Sequence, residues 1–187
     1  MDSSASPTTV SVVEYNPLWP EHFCQLRGWL APIVHQWAIA VEHVGSTSVP
    51  GLAAKPVIDL DVVIASPAHV PAVIRQLASV GYDHLGDLGI EGREAFRAHV
   101  AEIPAHNLYV CPQQSIALRN HLTLRNHLRS HFADRAAYAA LKRRLAAQFP
   151  NDIASYVAGK SDFIAAILGQ CGFAAEHLHR IRGANRP

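Results

Sequence analysis

Residues 42–64 run EHVGSTSVPGLAAKPVIDLDVVI, and the reading of the whole chain starts from them. A short apolar strand over residues 39–44 leads into Gly45-Ser46-Thr47-Ser48. A loop with Pro50, Gly51, Lys55 and Pro56 follows, then a second apolar run, 57–64, into which Asp59 and Asp61 are set. Side chains two apart in a strand point to one face, so the two aspartates stand side by side. A carboxylate among Val, Ile and Leu is costly to bury as an ion unless it is paired, hydrogen-bonded or on a metal. Two on one face repel, and a divalent cation is the simplest relief. Mg²⁺ takes one or two carboxylates and completes its shell with water and phosphate oxygens. The Gly-Ser-Thr turn offers backbone N–H groups and hydroxyls close to those phosphates.

Composition limits the alternatives. With 187 residues, 49% hydrophobic and 17% charged, the chain is expected to be one globular domain, or one domain with a helical appendage, rather than a disordered segment. A net charge of +1 gives no basic footprint for nucleic acid. Cys24, Cys111 and Cys171 are widely spaced, which suits reduced thiols better than a disulfide framework. No apolar run has the length of a membrane span, and residues 1–9, MDSSASPTT, lack the basic start and apolar segment of a signal peptide. The expectation is a soluble, cytoplasmic protein with a flexible segment over 1–9.

Residues 10–15 alternate as a strand, and Pro20 suits the first turn of a helix over 21–37. After the strand–loop–strand unit, Ser66 and Pro67 cap and start a helix over 68–80 that Gly81 closes. Gly86, Gly89 and Gly92 cut the next stretch into turns, and strands are expected over 94–100 and 106–111. From residue 114 the pattern is helical: one helix through LRNHLTLRNHLRSHF, one over 134–149, one over 153–170 and a short one over 173–182.

The Gly-Ser at the end of one strand with Asp59-Leu60-Asp61 on the next resembles the nucleotidyltransferase superfamily. A finer resemblance, to the GrpB family, rests on the quoted stretch, on VVEYNPLWP upstream, and on LRNHLTLRNHLRSH and YAALKRRLAAQFPNDIASYVAGKSDFI downstream. It covers roughly residues 10–167. The resemblance implies an α/β fold, a small mixed sheet flanked by helices, forming one domain over 10–187 with 114–187 as its helical segment. It implies Asp59 and Asp61 as catalytic ligands of Mg²⁺ or Mn²⁺, with Gly45, Ser46 and Thr47 facing the phosphates of an NTP. Lys55 is placed to neutralise phosphate or the aspartates. Arg119, His121 and Arg125 match the family's LRNHL…R pattern, and Lys142 and Lys160 match its ALKRRLA and GKSDFI segments. Arg125, Lys142 and Lys160 would then bind the triphosphate or an acidic acceptor.

The superfamily places a third carboxylate on a later strand, but here residues 106–110 are His-Asn-Leu-Tyr-Val. Asn107 and Tyr109 take the polar-face positions. An amide does not titrate and a phenol does so only near pH ~10, so neither serves as a base. Glu42, Glu94 and Glu102 are the candidate substitutes. Alternation puts His106 with Leu108 and Val110 on the apolar face. His43 either lines the cleft or packs on the sheet. His127 and His131 have the four-residue spacing for a shared metal, without a third ligand spaced to fit. Two functions follow: transfer of a nucleotidyl group from an NTP to a small acceptor, or a non-catalytic module that binds nucleotide or phosphate.

Overall fold

The protein is described by a computed structural model over residues 9–100 and 103–184. Its five-stranded sheet has the order β1-β2-β5-β4-β3. The strands are β1 (Ala38–Val44), β2 (Ile58–Ile64), β3 (Tyr82–His84), β4 (Glu94–Ala98) and β5 (His106–Pro112). β1 pairs antiparallel with β2, which runs parallel to β5, while β4 pairs antiparallel with both β5 and β3. A parallel pair needs a long crossover, and β2 reaches β5 through α2 (Val70–Ala78), β3 and β4. The sheet is mixed and helix-flanked, as the sequence implied.

Period-two alternation divides the sheet into unlike faces. Ile58, Leu60, Val62 and Ile64 join Leu108 and Val110 under α1 (Trp19–Val34) and α2. α1 supplies Leu26, Leu30 and Val34, four apart and fully buried, and α2 supplies Val73 and Leu77. The opposite face carries Asp59, Asp61 and Val63 beside Asn107, Tyr109 and Cys111. There α3 (Ile116–Ser130) lays Leu118 and Leu122 over Val63 and Cys111. A separate core joins Val49, Leu52 and Ala53, from the loop after Gly45, to Leu128 of α3, Tyr138 and Ala139 of α4 (Phe132–Gln148) and Ile167 of α6 (Ser161–Gln170). This core fixes the helical wall against the strand–loop–strand unit.

Several expected boundaries moved. Residues 10–15 form no strand. Only Val13 bridges to Ala54, while Val10 N–H donates to Pro150 O at 2.7 Å. The segment therefore lies across the loop and the corner that follows α4 instead of extending the sheet. α1 stops at Val34, short of Trp37. β3 was not expected. Its Tyr82 is tied to His106 on β5 by a 2.6 Å hydrogen bond. The expected 153–170 helix is two, α5 (Ile153–Ala158) and α6, divided at Gly159. A Cβ there would meet Leu145 Cδ2 at 2.5 Å, so close packing on α4 holds the break. The last helix is α7 (Ala175–Ala184). Most of the stretch expected to be flexible, residues 1–8, lies outside the described residues, and Glu102 does too.

Candidate functional site

The site begins at the turn that ends β1. Gly45 has φ 66° and ψ −169°, a region essentially reserved for glycine. A Cβ on it would collide with the Asp59 carboxylate, lying 2.7 Å from Cγ. Glycine is thus required twice, by its torsions and by the carboxylate behind it. Ser48 Oγ donates to Gly45 O at 2.6 Å and locks the turn.

Asp59 faces Asn107 in the parallel register, and Asn107 Nδ2 donates to Asp59 Oδ1 at 2.8 Å. Burial raises the Asp59 pKa. The Asn107 bond and the charges of His121 and Lys160 oppose the rise, and Asp61 adds to it. Asp61 is completely buried, with His121 Nδ1 2.8 Å from its Oδ2 and 3.1 Å from its Oδ1. Burial pulls the His121 pKa down, but the charge and hydrogen bond of Asp61 outweigh it, so His121 holds its proton more tightly than a free imidazole. Glu42 stands directly across from Asp61 in the β1–β2 register and is paired with Arg125 Nη1 at 2.7 Å. Three carboxylates thus share this face.

α3 answers them with one residue per turn. His121 meets Asp61. Arg125 meets Glu42 and also donates to His43 O at 2.9 Å. Arg129 donates to Ser48 O at 3.0 and 2.7 Å. Residues four apart share a helix face, so 121, 125 and 129 form a ladder along the strand–turn unit. Arg129 was missed in the sequence, although the four-residue spacing was there to be read.

Two adjoining cavities open on the turn. One, of about 150 Å³, is bordered by Gly45, Arg125 and His121. The other, of about 240 Å³, is bordered by Thr47, Lys55, Asn107, Tyr109 and Lys142. Ser46, Asp59 and Lys160 line both. Larger hollows lie elsewhere, such as one of about 320 Å³ between Ile90, Ile116 and Arg180, but the Asp59 carboxylate and the Gly-Ser turn meet at the smaller pair.

The remaining candidates are placed unequally. Lys160 is half-buried, its Nζ 4.5 Å from the Tyr156 ring centroid, and burial draws its pKa down to about 8. Lys142 is almost fully buried. Its Nζ donates to Ser46 Oγ at 2.9 Å and to Ala53 O, and burial, then Lys160, lowers its pKa to about 7. It braces the turn from beneath. Thr47 is buried, with Oγ1 3.0 Å from His43 Nε2. His43 itself stacks on Phe23 at 4.7 Å on the α1 side, so it packs on the sheet and does not line the cleft. Burial, then Arg129 and Arg125, draws its pKa down to about 4.

His106 packs on the apolar face against Tyr82, as alternation required. Glu94 pairs with His84 at 2.6 Å, away from the aspartates. His127 and His131 stack on each other at 3.9 Å. Among the described residues no group of three or more His, Cys, Asp or Glu could hold a metal ion. Asp59 and Asp61 fit a narrower case. Asp59 Oδ2 turns toward Gly45, and burial and Asp61 both disfavour its charge. A hard cation there would take the rest of its shell from phosphate and water, and Asp61 would reach it only by giving up His121.

A family model described as GrpB protein matches residues 9–170. The chain belongs to the GrpB family. It is 36% identical over 155 residues to the UPF0157 protein YqkA of Bacillus subtilis, a match covering 83% of this chain and 45% of YqkA. The chain therefore spans less than half the length of that relative. The crystal structure of conserved protein GrpB from Enterococcus faecalis superposes with a TM-score of 0.76 at 33% identity, covering 86% of this chain and 96% of that one. The structure of the GLD-2/RNP-8 complex superposes with a TM-score of 0.56 at 16% identity, covering 87% and 63%. The fold is nucleotidyltransferase-like. Among the described residues no helix is long and apolar enough to cross a membrane.

Proposed function

We propose that the cleft binds a nucleoside triphosphate together with Mg²⁺ or Mn²⁺, and that transfer of its nucleotidyl group to a small acceptor is slow. The observation that carries this reading is the contact of Gly45 with Asp59, which leaves Ser46, Asp59 and Lys160 bordering both cavities. Ser46 and Lys160 offer a hydroxyl and an ammonium to phosphate oxygens. Lys55 and Arg125 add positive charge at the rims. Asp59 and Asp61 would hold the divalent ion, which supplies charge neutralisation and Lewis-acid polarisation at the phosphates.

Slow transfer follows from the proton of the acceptor hydroxyl. Asn107 stands where a carboxylate would be expected, burial pushes the Tyr109 phenol further up, and His121 is kept protonated by Asp61. General-base help contributes roughly 10²–10⁴-fold, so its absence weakens chemistry without weakening binding. A second reading, an active transferase, is favoured by one observation, the position of Glu42 directly opposite Asp61.

Calorimetry with Mn²⁺ and a panel of NTPs tests the binding. Wild type should bind at least one NTP in a Mn²⁺-dependent manner, and Asp59→Asn/Asp61→Asn should bind none. Wild type without affinity for any of them would overturn the reading. A labelled-NTP screen over small hydroxyl acceptors separates the two functions. Slow turnover that rises in Asn107→Asp supports the first, whereas fast turnover abolished by Glu42→Gln supports the second.

A further inference from the structure

Away from the cleft, side chains from two helices and from the end of a third meet. Cys171, directly after α6, has its Sγ 3.6 Å from His127 Nδ1 on α3. The other ring nitrogen, Nε2, is 2.6 Å from Asp134 Oδ2 in the first turn of α4. A carboxylate accepts only, so Nε2 carries the proton and Nδ1 is left as an acceptor toward the thiol. Stacking on His131, with an interplanar angle of 3°, fixes the ring a second time. A base held in orientation by a carboxylate and resting on a thiol is the arrangement that makes a nucleophilic thiolate. The other two cysteines lack it. Cys24 is exposed on α1, and Cys111 is buried with its thiol pushed up by burial.

The surrounding backbone narrows the chemistry. The N–H groups of Cys171, Gly172 and Phe173 donate to Ile167 O, Gly169 O and Leu168 O at 3.1, 3.1 and 3.0 Å. None is left beside Sγ to receive an oxyanion, which acyl transfer requires. Attack on a peroxide requires no such donor. We propose that Cys171 is a site of oxidation by hydrogen peroxide or a small hydroperoxide, with His127 moving the proton and Asp134 as positioning residue. His127 takes the thiol proton, and the thiolate sulfur bonds to one peroxide oxygen as the O–O bond breaks. The leaving hydroxide takes the proton back from His127, so thiol and hydrogen peroxide give sulfenic acid and water. Cys171 is half-buried at the edge of the core formed by Val49, Leu52, Leu128 and Ile167. The added oxygen therefore enters the packing behind the loop that follows Ser46.

The test exposes the full chain to hydrogen peroxide, traps sulfenic acid with a dione reagent and quantifies each cysteine peptide by mass spectrometry. Exposed Cys24 is the internal reference. Cys171 should react at least ~10-fold faster than Cys24, a fraction of the range for general-base help. His127→Gln should bring Cys171 down to the Cys24 rate. Asp134 is partly exposed, so its variants keep the test valid if His127→Gln fails to fold. Asp134→Asn should slow Cys171 severalfold and Asp134→Glu should restore it, at matched melting temperatures. Equal rates for Cys171 and Cys24, or a Cys171 rate unchanged by Asp134→Asn, would overturn the proposal.

Discussion

The two faces of the same strands are held by opposite means. Toward α1 and α2, Leu60, Val62, Leu108 and Val110 are buried among apolar neighbours, and the face is held mainly by packing. Toward α3, the alternate positions bring Asp59 and Asp61 beside Glu42 from β1, and each carboxylate meets a donor sent from elsewhere: Asn107, His121 and Arg125. The apolar face gains free energy simply by leaving water. The carboxylate face gathers like charges that folding by itself disfavours, then answers them one at a time. The main apolar core lies on one side of the sheet and the carboxylates on the other, one residue apart along each strand.

Breaking the apolar face should have the largest effect. Leu60 is fully buried in β2 between the two aspartates. Leu60→Ala should cost about 2–5 kcal/mol, the range for truncating a buried leucine, read as a lower denaturant midpoint. Nucleotide affinity of the protein that remains folded should hardly change. Lost affinity with unchanged stability would show that the faces do not divide the work in this way.

Gly45 belongs to both halves of the contrast and ranks next. Sequence alone predicts that a side chain at 45 harms ligand approach far more than folding. The structure corrects this, because Asp59 stands behind the α-carbon and φ is positive. Gly45→Ala should cost roughly 1–3 kcal/mol from its torsions alone, and nucleotide binding should fall with it as Asp59 is displaced. Full stability measured by thermal unfolding would contradict this.

What the sequence could show follows the same division. Alternation over 57–64 was enough to place both aspartates on one face, and the Gly-Ser turn before them identified the cleft. These are local patterns with period two. The donors that answer Asp61 and Glu42 sit about 60 and 80 residues later, and only tertiary contact reveals their pairing. The repeat in LRNHLTLRNHLRSH was visible as family likeness, but not as a ladder of His121, Arg125 and Arg129. Lys142 could not be told from a solvated helix charge, since its burial depends on the loop at Ala53. β3 is only three residues long, too short for alternation to register.

Relieving the carboxylate face should act in the opposite direction from breaking the apolar one. The Asp59 pKa is raised in the folded state, so its ionised form opposes folding. Its favourable contribution is complete below the unfolded value of 3.8 and is lost as pH rises through the folded value. At pH 7 Asp59→Asn should therefore stabilise the ligand-free protein, by something of the order of 1 kcal/mol, while nucleotide binding is lost. The difference from wild type should shrink as the pH is lowered toward 4. Destabilisation at pH 7 would mean that the Asn107 bond outweighs the burial of the charge.

The smallest effect concerns protons taken up when a ligand arrives. Lys142 and Lys160 titrate at about 7 and about 8 because burial disfavours their charged forms. With folded values below the unfolded value of 10.5, their contribution to stability is complete above pH 10.5 and is lost as pH falls through 8 and 7. Ligand-free protein should therefore gain stability as pH rises from 7 to 10, and Lys142→Met should flatten that rise. A triphosphate beside Ser46 reverses the balance, since its negative charge favours the ammonium forms. Binding near pH 8 should then take up protons. Calorimetry in two buffers of different ionisation enthalpy would read the uptake as a difference in apparent heat, and Lys160→Met should reduce it. Identical heats in both buffers would place the phosphates out of reach of both lysines, and so outside the two cavities that Lys160 borders.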